Sequence, residues 1–183
     1  MRVLGPRHAR TVYSQARLAT TLTKLGRFAE AERLAAQAAD VGKENLGEEH
    51  PEVIAANLAR ASALRGLRRT DEAESILRRQ LAVLDEQKAL GKVVGDHDAI
   101  TSDVRVQLGM ALADRGRRSE AEALLAESVP KLPARHADTK RAVQFMVRFY
   151  EDWERFAPSQ GHGARAALWR GRLSGESRAQ AGT

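Results

Sequence analysis

The chain has 183 residues, of which 43% are hydrophobic and 4% aromatic, and this composition excludes wholesale disorder and favours helices over strands. It contains no cysteine, which excludes disulfide frameworks, thiolate metal sites and cysteine nucleophiles. The formal net charge is +6, but 24 acidic residues are interleaved with 30 basic ones, so no basic stripe for nucleic acid is predicted.

The chain carries an internal repeat that begins with the element LG-x-x-H. Leu4 and His8 recur 42 residues later as Leu46 and His50. The alanine of a Glu-Ala-Glu element follows each histidine by 23 residues, and in a third copy it follows His97 by 24. A fixed spacing of this length is typical of helical repeats. We divide the chain into four units, of which the last is divergent, and a tail that we expect to be flexible: 4–45, 46–90, 94–133, 134–173 and 174–183.

Each unit is predicted to fold as two helices joined by a tight turn, because apolar residues recur at helical spacing on both sides of a turn signal. Gly26 and Gly116 can adopt the left-handed conformation that ends a helix. Arg68 stands at the matching place in the second unit and predicts a strained turn. Ser119 and Glu122 fit a capping box at the next helix start. The predicted helices cover 9–25, 28–44, 51–67, 71–90, 98–115, 119–130, 137–156 and 164–173.

The third unit contains a ladder of small and apolar residues: Leu108, Gly109, Leu112, Gly116, Ala121 and Pro133. The ladder resembles the tetratricopeptide repeat (TPR) motif, with a leucine in place of the usual aromatic residue. The second unit departs from the motif at Arg60 and Thr70. The resemblance implies an all-α fold, a right-handed superhelical array of antiparallel helix pairs known as a TPR solenoid. Gly109 and Ala121 would let paired helices approach closely.

Two further resemblances narrow the family. The LG-x-x-H leader and the 42-residue period, longer than the usual period of roughly 34, are similar to the TPR units of kinesin light chains. The last unit has Tyr150 and Trp153 on one helix and a final helix that ends in arginine and leucine. It resembles the closing segment of TPR arrays attached to bacterial serine/threonine protein kinases. This resemblance implies an alternative function, as the regulatory or substrate-recruiting segment of such a kinase.

No sequence pattern for catalysis is present. The chain lacks the glycine-rich loop and the catalytic aspartates of a kinase, the nucleophile elbow and the zinc-binding helix motif.

Four histidines recur at equivalent places: His8, His50, His97 and His136. Stacked repeats would separate them by about 8–10 Å or more, so we interpret them as polar turn residues and not metal ligands. The carboxylate pairs Glu30 with Glu32 and Glu72 with Glu74 are interpreted as complements of the helix dipole and not as acid–base catalysts. We predict no enzyme activity, no metal and no cofactor.

The TPR resemblance implies a non-catalytic scaffold whose first helices line a concave groove for a peptide or a partner helix. By analogy with the family, we assign ten residues to the groove: Tyr13, Arg17, Thr20, Lys24, Gln107, Met110, Arg141, Gln144, Phe145 and Arg148. Four of them are cationic, so we expect a protein or peptide partner with acidic or polar character. A nucleic-acid partner is not expected, because the units show no regular base-reading pair.

Two features of the sequence bear on the location of the protein and on its neighbours. No run approaches the roughly 20 apolar residues that a membrane helix needs, and the N-terminus lacks the apolar stretch of a signal peptide. We therefore expect a cytoplasmic protein without membrane contact. Since no capping helix precedes the first unit, we expect a neighbouring N-terminal domain or a homo-oligomer to cover its exposed face.

Six of the eight aromatic residues fall in the last unit. One stripe of the predicted helix is formed by Phe145, Phe149, Trp153 and Phe156, and Met146 and Tyr150 form an adjacent stripe. We expect one stripe to pack on the third unit and the last helix to cover the other through Leu168, Trp169 and Leu173. The alternative is an exposed aromatic patch that binds a partner.

Overall fold

Eight α-helices, joined in pairs by tight turns, make up the part of the chain that the computed structural model describes, residues 8–92, 97–133 and 137–181. Side chains are described in these ranges except at 137–138 and 174–181. The described residues form no strand, and the fold is all-α. The helices are α1 (Ala9–Lys24), α2 (Phe28–Leu46), α3 (Pro51–Gly66), α4 (Thr70–Ala89), α5 (His97–Asp114), α6 (Arg118–Ser128), α7 (Ala137–Phe156) and α8 (His162–Ala181), with a short 3-10 helix (Val129–Lys131) after α6.

The first seven helices begin and end within two residues of the predicted bounds, whereas α8 differs at both ends. It begins two residues early because the Glu154 carboxylate accepts hydrogen bonds from the backbone N–H groups of Ser159 (2.9 Å) and Gly163 (2.8 Å). These bonds lower the pKa of Glu154. The helix also continues to Ala181, eight residues past its predicted end. The flexibility of the tail 174–183 stays a prediction.

The turns inside the first three units share one backbone geometry. Gly26 (φ 77°), Arg68 (φ 63°) and Gly116 (φ 76°) occupy the same place in successive units and all lie in the left-handed region. That region is costly for a residue with a Cβ, so the predicted strain at Arg68 is confirmed.

The second helix of each of these units starts with a hydrogen-bonded arginine–glutamate pair. Each N-cap residue is an arginine whose Nε donates to the glutamate three residues later: Arg27 to Glu30 (2.7 Å), Arg69 to Glu72 (2.6 Å) and Arg117 to Glu120 (2.7 Å). These bonds lower the pKa of the three glutamates. The predicted capping box is wrong, because α6 already begins at Arg118 and Ser119 lies inside its first turn.

The second glutamate of each Glu-Ala-Glu element reaches the following unit. Glu32 accepts from Arg60 Nε at 3.1 Å. Glu74, only 7% exposed, accepts from Arg115 Nη1 at 2.9 Å and Arg117 Nη1 at 2.8 Å. In the third unit Glu122 accepts from the Tyr150 hydroxyl at 2.8 Å and from Arg165 Nη1. Helix-dipole complementarity alone therefore does not account for these acids, which link each unit to the next.

Small residues set the distance between paired helices. Ala31, Ala73 and Ala121 are each 0% exposed. A Cβ added to Gly109 would lie 2.6 Å from Leu125 Cγ and 3.3 Å from the carbonyl oxygen of Ala121. Both distances are too short for ordinary packing, so the predicted close approach at Gly109 and Ala121 is confirmed.

The histidines divide into two roles. His8 and His50 are N-cap residues of α1 and α3, and each Nδ1 accepts from the backbone N–H two residues later, at 3.1 and 3.2 Å. The turn interpretation is wrong for His97, which is the first residue of α5, 5% exposed, with its Nε2 3.0 Å from the Leu84 carbonyl oxygen. His136 lies outside the described residues.

The aromatic residues of the last pair mostly pack between α7 and its neighbours. Phe149 and Tyr150 are buried, and the ring of Trp153 stacks on the ring of His162 at 4.2 Å. On α8 Trp169 is buried, but Leu168 is 73% exposed, so its predicted role in covering α7 is wrong. Phe156, the last residue of the first stripe, is 72% exposed, so its predicted packing in the cap is wrong. Most of the remaining aromatic surface of α7 is covered, as the capping account expects.

The strained turn supplies a stability test. Arg68→Gly should raise the free energy of unfolding by about 1 kcal/mol, because glycine adopts the left-handed region without a Cβ penalty. Gly116→Ala, at the matching turn, should lower it by a similar amount, since a Cβ there meets no other atom within 4 Å and only the backbone is tested. Urea unfolding followed by circular dichroism measures both. A destabilised Arg68→Gly would show that the arginine side chain outweighs its backbone strain.

The hydrogen bond between Tyr150 on α7 and Glu122 on α6 predicts that the stability of the protein falls at alkaline pH. Burial and the hydrogen bond to Glu122 raise the pKa of Tyr150 to about 12. The stabilisation is fully present below the unfolded tyrosine pKa of about 10 and is lost as the pH rises towards the folded value. Tyr150→Phe should therefore show a smaller fall in melting temperature between pH 9 and 11 (roughly one unit either side of that pKa). Tyr13→Phe, which removes an exposed hydroxyl, should keep the wild-type profile.

Candidate functional site

An open cavity of about 700 Å³ lies where the first helices of successive units meet. α1 and α2 bound it on one side, α3 and α5 form its floor, and α7 bounds it on the other side. The lining residues are Thr23, Lys24, Phe28, Ser62, Arg65, Gly66, Arg68, Asp103, Val106, Gln107, Met110, Asp114, Arg141, Gln144, Phe145 and Arg148.

The structure brings seven of the ten predicted groove residues to this cavity: Lys24, Gln107, Met110, Arg141, Gln144, Phe145 and Arg148. It does not bring Tyr13, Arg17 or Thr20 there, because these residues lie nearer the start of α1 than the cavity does. Tyr13 Oη instead accepts from Arg17 Nη1 at 3.1 Å. The Thr20 hydroxyl donates to the Ala16 carbonyl at 3.0 Å. Ligand binding by any of the ten stays a prediction.

The second unit supplies lining residues that the sequence analysis did not assign. Ser62, Arg65 and Gly66 all come from the end of α3. Adding the 42-residue period to Thr20 gives Ser62, and adding it to Lys24 gives Gly66. The period was therefore the signal that could have found Ser62 and Gly66, whereas Arg65 matches Thr23, which was not assigned.

Arg65 is the most connected residue of the cavity. Its Nε donates to Asp114 Oδ2 at 2.7 Å, and its Nη1 lies 3.4 Å from Met110 Sδ. The guanidinium also sits over the ring of Phe145, with Cζ 5.7 Å from the ring centroid. One side chain from α3 thus contacts both α5 and α7. Beside it, the Ser62 hydroxyl donates to Gln107 Oε1 at 3.2 Å.

The cavity lining is rich in positive charge, with five cationic and two acidic side chains. Arg65 is paired with Asp114, and both are largely withdrawn from solvent. In contrast, Lys24, Arg68 and Arg148 are exposed, and none has an ion-pair partner within the described ranges. An anionic group that enters the cavity therefore meets cations that do not have to break an existing ion pair.

One wall of the cavity depends on a glycine. Phe28, the first residue of α2, packs over Gly66, and a Cβ at Gly66 would lie 2.2 Å from Phe28 Cδ1. The equivalent place carries Lys24 in the first unit and Asp114 in the third. The absence of a side chain at this place in the second unit is what gives the Phe28 ring its position.

Other kinds of site find no support in the described part of the chain. No group of three or more histidine, aspartate or glutamate side chains is arranged to hold a metal ion in those residues. No described helix is both long and apolar enough to cross a membrane.

A stack of helix pairs with a polar cavity on the side of the first helices defines a helical-repeat binding module. Family models described as "Tetratricopeptide repeat" match residues 8–86 and 101–130, which together exceed half of the chain. The chain belongs to the tetratricopeptide-repeat family. The fold of this family is generally a scaffold for protein–protein interaction and is typically non-catalytic.

Solved structures with similar folds agree with the resemblance to kinesin light chains. Nearly identical TPR-like repeats assigned to a kinesin light chain of Podosopora anserina match with a TM-score of 0.60 and 22% identity, over 93% of this chain and 92% of that one. A point variant of those repeats matches with a TM-score of 0.61 and 20% identity, over 96% and 93%. No curated protein matches the sequence significantly. The family matches end before α7, so the resemblance to kinase-attached arrays stays a prediction.

The packing of Phe28 over Gly66 can be tested by adding one methyl group at Gly66. Gly66→Ala should destabilise the protein by about 1–3 kcal/mol, because the Phe28 ring must leave its place. Gly171→Ala on α8 is the matched control, since a Cβ there meets no atom within 4 Å and alanine favours the helix. Thermal unfolding measures both variants. Equal melting temperatures for Gly66→Ala and the wild type would show that the wall is not rigid.

Proposed function

We propose that the chain is a non-catalytic scaffold whose cavity binds an extended, acidic segment of a partner protein. The observation that carries the proposal is the concentration of cations without ion-pair partners at the cavity rim: Lys24, Arg68 and Arg148. A carboxylate that docks there gains charge-assisted hydrogen bonds without displacing an internal acid.

The contrast with a recurring set of surface arginines supports this proposal. The arginines at the starts of α2, α4 and α6 are also at least partly exposed, but each is held by a glutamate three residues away. Arg79 is likewise paired with Glu48 on the outer surface. Positive charge is thus neutralised locally at these places and left available in the cavity, which favours recognition of anions there.

The residues that line the cavity between these cations favour a polypeptide as the ligand. Val106 and Met110 bring apolar surface to the floor, and Phe145 brings it to the α7 side of the cavity. Gln107 and Gln144 bring amide groups to the same two places. Amides can pair with a main chain, and the apolar surface suits an uncharged side chain. Sequence-tolerant nucleic-acid binding relies instead on aromatic platforms that receive successive bases. The two aromatic rings of the lining are already in use, since Phe145 lies beneath Arg65 and Phe28 packs over Gly66.

A peptide array tests the proposal. Peptides of about ten residues span roughly 33 Å when extended, and each is presented in a glutamate form and in an isosteric glutamine form. The wild-type chain should bind the glutamate forms more tightly. Lys24→Glu combined with Arg148→Glu should reduce this binding by about 100-fold, corresponding to about 2.7 kcal/mol. Fluorescence anisotropy with labelled peptides from the array gives the dissociation constants.

The matched control reverses two exposed cations outside the cavity, Arg10→Glu with Lys92→Glu, and so makes the same change in net charge. It should reduce binding less than threefold, because exposed charges beyond about 8 Å are screened at physiological ionic strength. Equal losses in the two double variants would assign the effect to net charge and reject the cavity. Preference for a single-stranded RNA oligonucleotide over every peptide would reject the partner class.

A further inference from the structure

Asp114 stands where an acidic residue is electrostatically unfavourable. It is the last residue of α5, and the C-terminal end of a helix carries partial negative charge. The equivalent residue, two places before the left-handed turn, is Lys24 in the first unit and Gly66 in the second. Helix formation and the repeat pattern therefore do not account for an acid at this position.

The cavity supplies the reason for the acid. Asp114 Oδ2 accepts from Arg65 Nε at 2.7 Å, and the two side chains are only 27% and 16% exposed. Arg65 is the deepest cation of the lining, and its guanidinium lies between Met110 and Phe145. Asp114 thus neutralises the cation of the lining that is most withdrawn from solvent.

The pair divides the cavity into two electrostatic regions. At the rim, Lys24, Arg68 and Arg148 present net positive charge. Deeper in the cavity, Arg65 and Asp114 cancel each other beside the apolar surface of Val106 and Phe145. The two remaining charged residues of the lining, Asp103 on α5 and Arg141 on α7, add one charge of each sign. A ligand therefore meets attraction for acidic groups at the rim and none at the floor.

We infer that Asp114 is a specificity-determining residue that excludes an anionic side chain of the ligand from the cavity floor. The inference rests on the proposed function, since it concerns an acidic segment in the same cavity. A carboxylate brought near Arg65 would stand close to the Asp114 carboxylate in a partly desolvated site, where like charges repel strongly. An uncharged side chain meets no such repulsion. Specificity here comes from a repulsive element as well as an attractive one.

A positional scan tests the inference. The probe is the tightest-binding glutamate peptide of the array, and glutamate or glutamine is placed at each of its positions in turn. For the wild-type chain, one position should prefer glutamine over glutamate by about tenfold, because the side chain at that position enters the floor. In Asp114→Asn this preference should disappear, since asparagine keeps an oxygen that accepts from Arg65 but removes the charge. All other positions should keep their wild-type ratios.

Two control variants show whether the effect depends on the charge of residue 114 and not on a general change in net charge. Asp114→Glu keeps the charge and should keep the glutamine preference at the same position. Asp85→Asn, on the exposed surface of α4, removes the same formal charge elsewhere and should leave the whole profile unchanged. Because each result is a ratio measured on one variant, a modest loss of stability does not alter it.

The outcomes separate the two proposals. An Asp114→Asn profile identical to that of the wild type, or an equal loss of preference in Asp85→Asn, would overturn the role of Asp114 while the acidic-peptide function stands. Failure of every glutamate peptide to bind the wild-type chain would overturn the proposed function, and the inference with it. A position-specific loss in Asp114→Asn alone, rescued by Asp114→Glu, is the expected result.

Discussion

The array depends on the Glu-Ala-Glu element that opens each second helix. Its alanine is 0% exposed in Ala31, Ala73 and Ala121, where a larger side chain would force the paired helices apart. The glutamate before each alanine holds the N-cap arginine, and the glutamate after it reaches the next unit. Three consecutive residues therefore fix the helix crossing, the start of the helix and the contact between units. Since a solenoid is stabilised by its units and their interfaces, this element contributes to both.

Much of the fold could be predicted because its signals are local. Apolar spacing and left-handed turns set the helix bounds, and even the strain at Arg68 followed from its place in the repeat. The failures came at helix starts, where a competing local signal was overlooked. Ser119 fits the sequence pattern of an N-cap, but the N-cap position of α6 is taken by Arg117, which pairs with Glu120. His97 is one residue further from its alanine than the other histidines are, and that extra residue was the unused sign that it lies inside α5.

The candidate site was only partly predictable, for a different reason. The family resemblance indicates which helix face lines a groove, and that suffices for Met110 and Arg148. It does not indicate how far along each helix the cavity extends, so Tyr13 and Arg17 were assigned although they lie beyond it. Nor does a sequence show that Arg65 contacts two other helices, because its partners are 45 or more residues away.

The repeat itself shows where function is encoded. Residues that recur from unit to unit, such as Ala31 and Ala73, are those that packing requires. One structural place that lines the cavity differs in chemistry from unit to unit instead. The place two residues before the left-handed turn carries a cation in Lys24, no side chain in Gly66 and an anion in Asp114. Packing alone would not select three such different residues at one place, whereas recognition of an asymmetric ligand requires the units to differ. Comparison of equivalent places across the units therefore identifies candidate recognition residues that conformity to the family motif does not.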